Sequence, residues 1–145
     1  MLTKSKPPAA PPLPARLRLA IARTARRLRQ EADGGLTPST TAALATVERH
    51  GPLTPSELAE RERVQRPTVT RVVARLEEAE LVARTADPLD GRSSLIALTP
   101  KGAALLAEVR NRKDAFLAER LRKLPAEDRQ TLARAAELLE ELLDA

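Results

Sequence analysis

Apolar residues recur at helical spacing through most of the chain, fall into alternation over one short stretch, and then return to helical spacing. From Ala15, the series Leu17, Ile21, Thr24 and Leu28 predicts a first helix of about 18 residues, ended by Gly34 and Gly35. Ahead of it stand Pro7, Pro8, Pro11, Pro12 and Pro14, a density that predicts an extended, disordered arm over residues 1–14. Three later helices open on one dipeptide, Thr37-Pro38, Thr54-Pro55 and Thr99-Pro100, with threonine as the cap and proline in the first helical position.

The first of these runs from Pro38 to about Arg49, with Ala43, Leu44 and Val47 inward, and stops at His50-Gly51-Pro52, where Gly51 is expected to be left-handed. Thr54-Pro55-Ser56-Glu57 fits a capping box and starts a short helix through about Arg61. After a brief turn, a further helix begins near Arg66-Pro67. Its Val69, Val72, Val73 and Leu76 form an inward stripe, which leaves Thr68, Arg71 and Arg75 on the opposite face. Between Leu81 and Leu98 the period is two, with Leu81, Ala83 and Thr85, then Leu95 and Ala97, around an Asp87-Pro88-Leu89-Asp90-Gly91-Arg92 tip. That pattern predicts a β-hairpin. A long helix follows Thr99-Pro100, Pro125 resets the chain, and a final helix carries Leu132, Ala136, Leu139 and Leu143.

Two short helices with a tight turn, followed at once by a hairpin, give the order of a winged helix-turn-helix. The fold class expected is mainly α with a small β-hairpin wing. In that arrangement the second helix enters the major groove of DNA, where exposed Arg and Thr groups reach base edges or phosphate oxygens. Arg66, Arg71 and Arg75 line the N-terminal and middle parts of this helix, whereas Glu77, Glu78 and Glu80 crowd its far end. Arg71 is the first candidate for base readout. The alternative for this face is an ordinary solvated one, and the alternative for the module is a winged helix that binds protein without sequence-specific DNA binding.

Composition narrows the classes. The 145 residues suit one domain, and a formal charge of +5 suits a polyanionic partner. Residues 1–30 hold Lys4, Lys6, Arg16, Arg18, Arg23, Arg26, Arg27 and Arg29 and no acidic residue. Phe116 is the single aromatic residue, so stacking on unpaired bases is not available and duplex DNA is favoured over single strands or RNA. Without cysteine there is no disulfide or thiol chemistry, and His50 alone cannot build a zinc site. No metal or cofactor is expected. One histidine, no tyrosine and no recognisable carboxylate pair leave little for acid-base or nucleophilic catalysis, so an enzyme is not expected. No apolar run approaches the roughly 18 residues of a membrane span, and a cytoplasmic protein is expected.

Leu58-Ala59-Glu60-Arg61, Arg66-Pro67-Thr68-Val69-Thr70-Arg71, Leu76-Glu77, Leu81-Val82-Ala83-Arg84, Asp87-Pro88-Leu89-Asp90-Gly91-Arg92-Ser93 and Leu98-Thr99-Pro100-Lys101-Gly102 follow one another in an order that resembles the MarR family of transcriptional regulators. The resemblance spans roughly residues 15–145. It implies a winged helix-turn-helix DNA-binding lobe at residues 37–99 and a dimerisation lobe made of residues 15–33 and 100–145. By the same resemblance, Arg66, Pro67, Thr68, Thr70, Arg71 and Arg75 belong to the recognition helix. Arg92 would enter the minor groove from the wing tip, with Asp90 bracing the wing by pairing with Arg92. The chain departs from the family pattern at Gly91, where a second basic residue often stands, and at Glu62-Arg63, where an apolar residue and a glycine are common.

The resemblance further implies a homodimer acting as a repressor on a palindromic promoter site, and a small effector, often a phenolic or aromatic acid, bound between the lobes. Arg84 resembles a position that can hold the effector's anion; a structural salt bridge is the other reading. Dimerisation also has a physical warrant, because the first and last helices carry apolar stripes that the small DNA-reading lobe cannot cover. A single intramolecular bundle is the alternative.

Overall fold

The computed structural model describes residues 7–145. Its elements are α1 (Leu13–Glu31), α2 (Pro38–His50), α3 (Pro55–Glu62), α4 (Arg66–Glu78), β1 (Val82–Ala86), β2 (Ser94–Leu98), α5 (Pro100–Arg122) and α6 (Ala126–Asp144). The expected arm is thereby divided. Residues 1–6 lie outside the described residues, and α1 already starts at Leu13, two residues ahead of the expected Ala15. Pro14 allows this because a helix makes no use of the N–H groups in its first turn, and the Arg16 amide closes onto the Pro12 carbonyl at 3.0 Å.

The hydroxyls of Thr37, Thr54 and Thr99 accept the backbone N–H of Thr40, Glu57 and Gly102 at 3.3, 3.2 and 3.1 Å, so all three Thr-Pro pairs cap and open their helices. At Thr54 only the threonine half of the capping box forms. Gly51, expected to be left-handed, is extended at φ −73° and ψ 164°. Glycine is required there for space: a Cβ would stand 2.5 Å from the Val47 carbonyl oxygen. Left-handed backbone is found instead at Arg63 (φ 54°), which ends α3, and at Glu80 (φ 62°), which follows α4.

The core is drawn from α2, α3, α4, the hairpin and the first turns of α5. Leu44, Leu53, Leu58, Leu76 and Ile96 are fully buried, with Val47, Val69, Val73, Leu81, Val82 and Leu106 packed among them. Helices α1 and α6 contribute no buried residue. Helix α5 joins the two parts: Leu106 sits in the core, Arg110 pairs with Glu48 of α2 at 2.7 Å, and farther along Phe116 lies between the guanidinium groups of Arg27 and Arg120. Gly102 lets α5 approach the hairpin, since a Cβ there would lie 2.2 Å from the Leu81 carbonyl oxygen.

Strands β1 and β2 pair antiparallel, with Val82 opposite Leu98 and Arg84 opposite Ile96. The hairpin forms as expected, and its inward positions are not the alternating ones that marked it. Val82 and Ile96 are buried, whereas Ala83 and Thr85 are exposed. Leu53 decides the phase: it exchanges both backbone hydrogen bonds with Ile96, at 3.1 and 2.8 Å, in a single antiparallel bridge beside β2. Leu81 is buried as the last residue of the turn, ahead of β1, and so reads one position out of step with it. Among the described residues, no helix is long and apolar enough to cross a membrane.

Candidate nucleic-acid interface

The turn between α3 and α4 is made without glycine. Arg63 takes the left-handed position, and the Val64 amide bonds back to the Ala59 carbonyl at 3.0 Å. From that fixed start, burial of Val69, Val73 and Leu76 sets the rotation of α4 about its axis. Arg66, Pro67, Thr70, Arg71 and Arg75 are consequently exposed, while Thr68, expected on the open face, is half-buried at its edge. The Arg66 guanidinium donates to the Ser56 hydroxyl of α3, and the Thr70 hydroxyl donates to the Arg66 carbonyl at 3.0 Å. Arg71 and Arg75 have no ion-pair partner among the described residues, so both guanidinium groups keep their donors for a ligand.

At the acidic end of α4 the charges are largely paired off. Glu77 accepts from Arg84 Nε of β1 at 2.6 Å, and Glu80 stands 3.6 Å from Lys101 of α5. Such half-exposed pairs add little stability. Their consequence is electrostatic: Glu77 and Glu80 each have a basic neighbour while Glu78 has none among the described residues, and the arginines along the rest of the face are left open.

Each wing aspartate is used by the backbone. Asp87 Oδ1 accepts the Leu89 amide at 2.9 Å, and Asp90 Oδ1 accepts the Arg92 amide at 3.0 Å. Asp90 therefore meets Arg92 through its main chain and not, as the expected pairing implied, through its guanidinium, which forms no ion pair among the described residues. The Asp87 amide donates to the Ser93 carbonyl at 3.1 Å and closes the loop. Beyond the packing of Val82 and Ile96 against the core face of α4, Arg84 makes the one side-chain hydrogen bond between hairpin and α4 among the described residues; Arg92 makes none.

A MarR family model matches residues 36–94, the span from the end of the α1–α2 loop to the start of β2. An HTH-type transcriptional regulator of Mycobacterium leprae is 40% identical over 129 residues, covering 88% of this chain and 90% of that protein. The chain belongs to the MarR family. Within it, the HTH-type transcriptional repressor MdtR of Bacillus subtilis is 37% identical over 94 residues, covering 65% of this chain and 61% of MdtR. A crystal structure of a transcriptional regulator from Pseudomonas aeruginosa superposes with a TM-score of 0.83 at 31% identity, covering 92% of this chain and 94% of that one. The protein is thus a helix-turn-helix transcriptional regulator with a winged-helix fold, the hairpin being the wing.

Of the two readings for Arg84, effector anion site or structural salt bridge, the second is the one seen: its guanidinium pairs with Glu77 at 2.6 Å, and it does not border the apolar cleft beside α1. That cleft, of about 830 Å³, opens among α1, α2 and α5. Leu36, Leu105 and Val109 give it an apolar floor, and Arg26, Arg29 and Lys113 stand at its walls. None of these three cations has an ion-pair partner among the described residues. Asp33 also borders the cleft, but its carboxylate already accepts the Gly35 amide at 2.8 Å. Sequence reasoning missed the cleft residues and also Ser56. The acid-free run through Arg26 and Arg29 was a signal for the former; nothing local marked Ser56. Among the described residues no group of three or more His, Asp or Glu is placed to hold a metal ion.

Proposed function

We propose that this MarR-family regulator acts in the cytoplasm as a homodimeric repressor that occupies a palindromic promoter site and releases it on binding an anionic aromatic effector. The observation that carries DNA recognition is the face of α4, on which Arg71 and Arg75 are exposed and unpaired directly behind the buried Val69, Val73 and Leu76. A rigidly seated helix with free guanidinium groups suits bidentate readout of guanine. Arg66, braced by Ser56, suits a phosphate contact beside it, with Pro67 and Thr70 lining the same approach, Thr68 at its edge, and Arg92 reaching a groove from the wing.

Two further features support the dimer and the effector. Leu13, Leu17 and Ile21 of α1 and Leu132, Leu138, Leu142 and Leu143 of α6 are exposed on helices without any buried residue, a surface that a second copy would cover. A two-fold pair would offer two recognition helices to half-sites about one DNA turn apart. The cleft among α1, α2 and α5 offers an apolar floor and three unpaired cations, a match for an aromatic carboxylate. It lies where α1 meets α2 and α5, so its occupant would shift α1 against the lobe that carries α4 and, in a dimer, the spacing of the two α4 helices. Repression agrees with MdtR being a transcriptional repressor.

Selection of duplexes from a random pool, with and without a hydroxybenzoate, tests the reading. A palindromic sequence is expected to be enriched and to be lost in the acid's presence. Arg71→Ala is expected to cost about 1–3 kcal/mol on the enriched duplex, with relaxed sequence preference. Unchanged affinity in a gel-shift titration would remove Arg71 from the interface.

A further inference from the structure

The wing carries a residue that the charge-based account of DNA binding does not use. Leu89 is 96% exposed, the most exposed of the large apolar side chains, at the very tip of the hairpin. Within the reading lobe only Val64 joins it among exposed large hydrophobics, and Val64 lies in the helix-turn-helix turn. The remaining ones belong to α1 and α6, whose stripes a second copy would cover. Leu89 is remote from those stripes in the fold and has no comparable occupant within the chain.

Its presentation is built. Pro88 fixes the backbone just before it, and Asp87 Oδ1 accepts its amide at 2.9 Å in a turn closed by the Asp87–Ser93 backbone bond. Asp90 holds the next corner through the Arg92 amide. The tip therefore projects two side chains of different chemistry, Leu89 and Arg92, from a loop ordered by its own carboxylates. Its charges are Asp87, Asp90 and Arg92, and Gly91 adds none, so the tip is net negative and its charge alone does not draw it to phosphate.

We infer that Leu89 is a DNA-contacting apolar wedge, which enters the minor groove beside Arg92 and packs on deoxyribose or between base steps. The inference rests on the proposed DNA binding and gives the wing an apolar component. Apolar side chains of this size unstack base steps and bend the duplex when a rigid loop drives them into the minor groove. Arg92 would supply the cation that a narrow groove attracts, and Leu89 the contact area that the missing second basic residue does not.

The test uses full-length protein and the duplex enriched by the unaltered chain. Leu89→Ala is expected to weaken binding by about fivefold, the value of burying part of a leucine side chain. It should reduce the bend read by circularly permuted gel shifts and leave the salt slope unchanged, because no charge is lost. Leu89→Met should retain both affinity and bend, whereas Leu89→Asn should behave as alanine. Arg92→Ala provides the contrast, with a salt slope lower by about one. Full affinity and bend in Leu89→Ala would overturn the inference and leave the DNA-binding reading intact. Failure of the unaltered chain to enrich any duplex would overturn both.

Discussion

The two parts of this chain are built on opposite terms. In the central lobe, α2, α3 and the start of α5 are each capped by a threonine hydroxyl, α4 starts without a side-chain cap, and the apolar faces of these helices close on one another around Leu44, Leu58, Leu76 and Ile96. In the terminal part, α1 and α6 start without a side-chain cap, contain no fully buried residue, and leave Leu13, Leu17, Leu132, Leu138, Leu142 and Leu143 exposed. Such helices draw their stability from packing rather than propensity. The central lobe seats α4 by its own interior, whereas α1 and α6 present apolar side chains that nothing within the chain covers. On the proposed function, rigidity would lie where bases are read and adjustability where the spacing of two readers is set.

That division can be broken most forcefully from within the core. Leu76 belongs to α4 itself and is fully buried, so Leu76→Ala is expected to cost about 2–5 kcal/mol in chemical denaturation and to lower DNA affinity with it. The matching change outside the core is Ile21→Ser, at a position 48% exposed in the single chain. It is expected to leave far-UV circular dichroism unchanged, to weaken the dimer about tenfold, or about 1.4 kcal/mol, in sedimentation equilibrium, and to make Tm more dependent on protein concentration. A core-sized loss of stability without weaker association would mean that α1 is finished within its own chain.

The same contrast explains what was legible in the sequence. Signals carried by neighbouring residues were read correctly: Thr37, Thr54 and Thr99 cap as expected, and the Val69, Val73 and Leu76 spacing gave the inward face of α4. Features decided at a distance were not. The hairpin phase depended on Leu53, more than forty residues from Ile96, and Ala83 and Ala97 are too small to report a face by themselves. Gly51 was misread because glycine at a helix end serves two needs, and here close approach to Val47 prevailed over a left-handed turn. Arg63 entered a left-handed turn that favours glycine. On the candidate interface, the α4 arginines could be placed from periodicity, whereas the Glu77–Arg84 and Arg66–Ser56 contacts needed the packed lobe.

The smallest expected effect sharpens the comparison at a single hydroxyl. Thr54→Ala removes the acceptor of the Glu57 amide and leaves an uncapped start on α3, the helix that supports α4 through Ser56 and the Arg63 turn. A cap is worth about 1 kcal/mol, and that loss is expected in thermal or denaturant unfolding. DNA affinity should fall less than in Leu76→Ala, since α4 keeps its own buried stripe. Helices α1 and α6 already start as Thr54→Ala would leave α3, without a side-chain cap, and they contain no fully buried residue. If Thr54→Ala proved neutral, capping would not be what separates the two parts, and the difference would rest on burial alone.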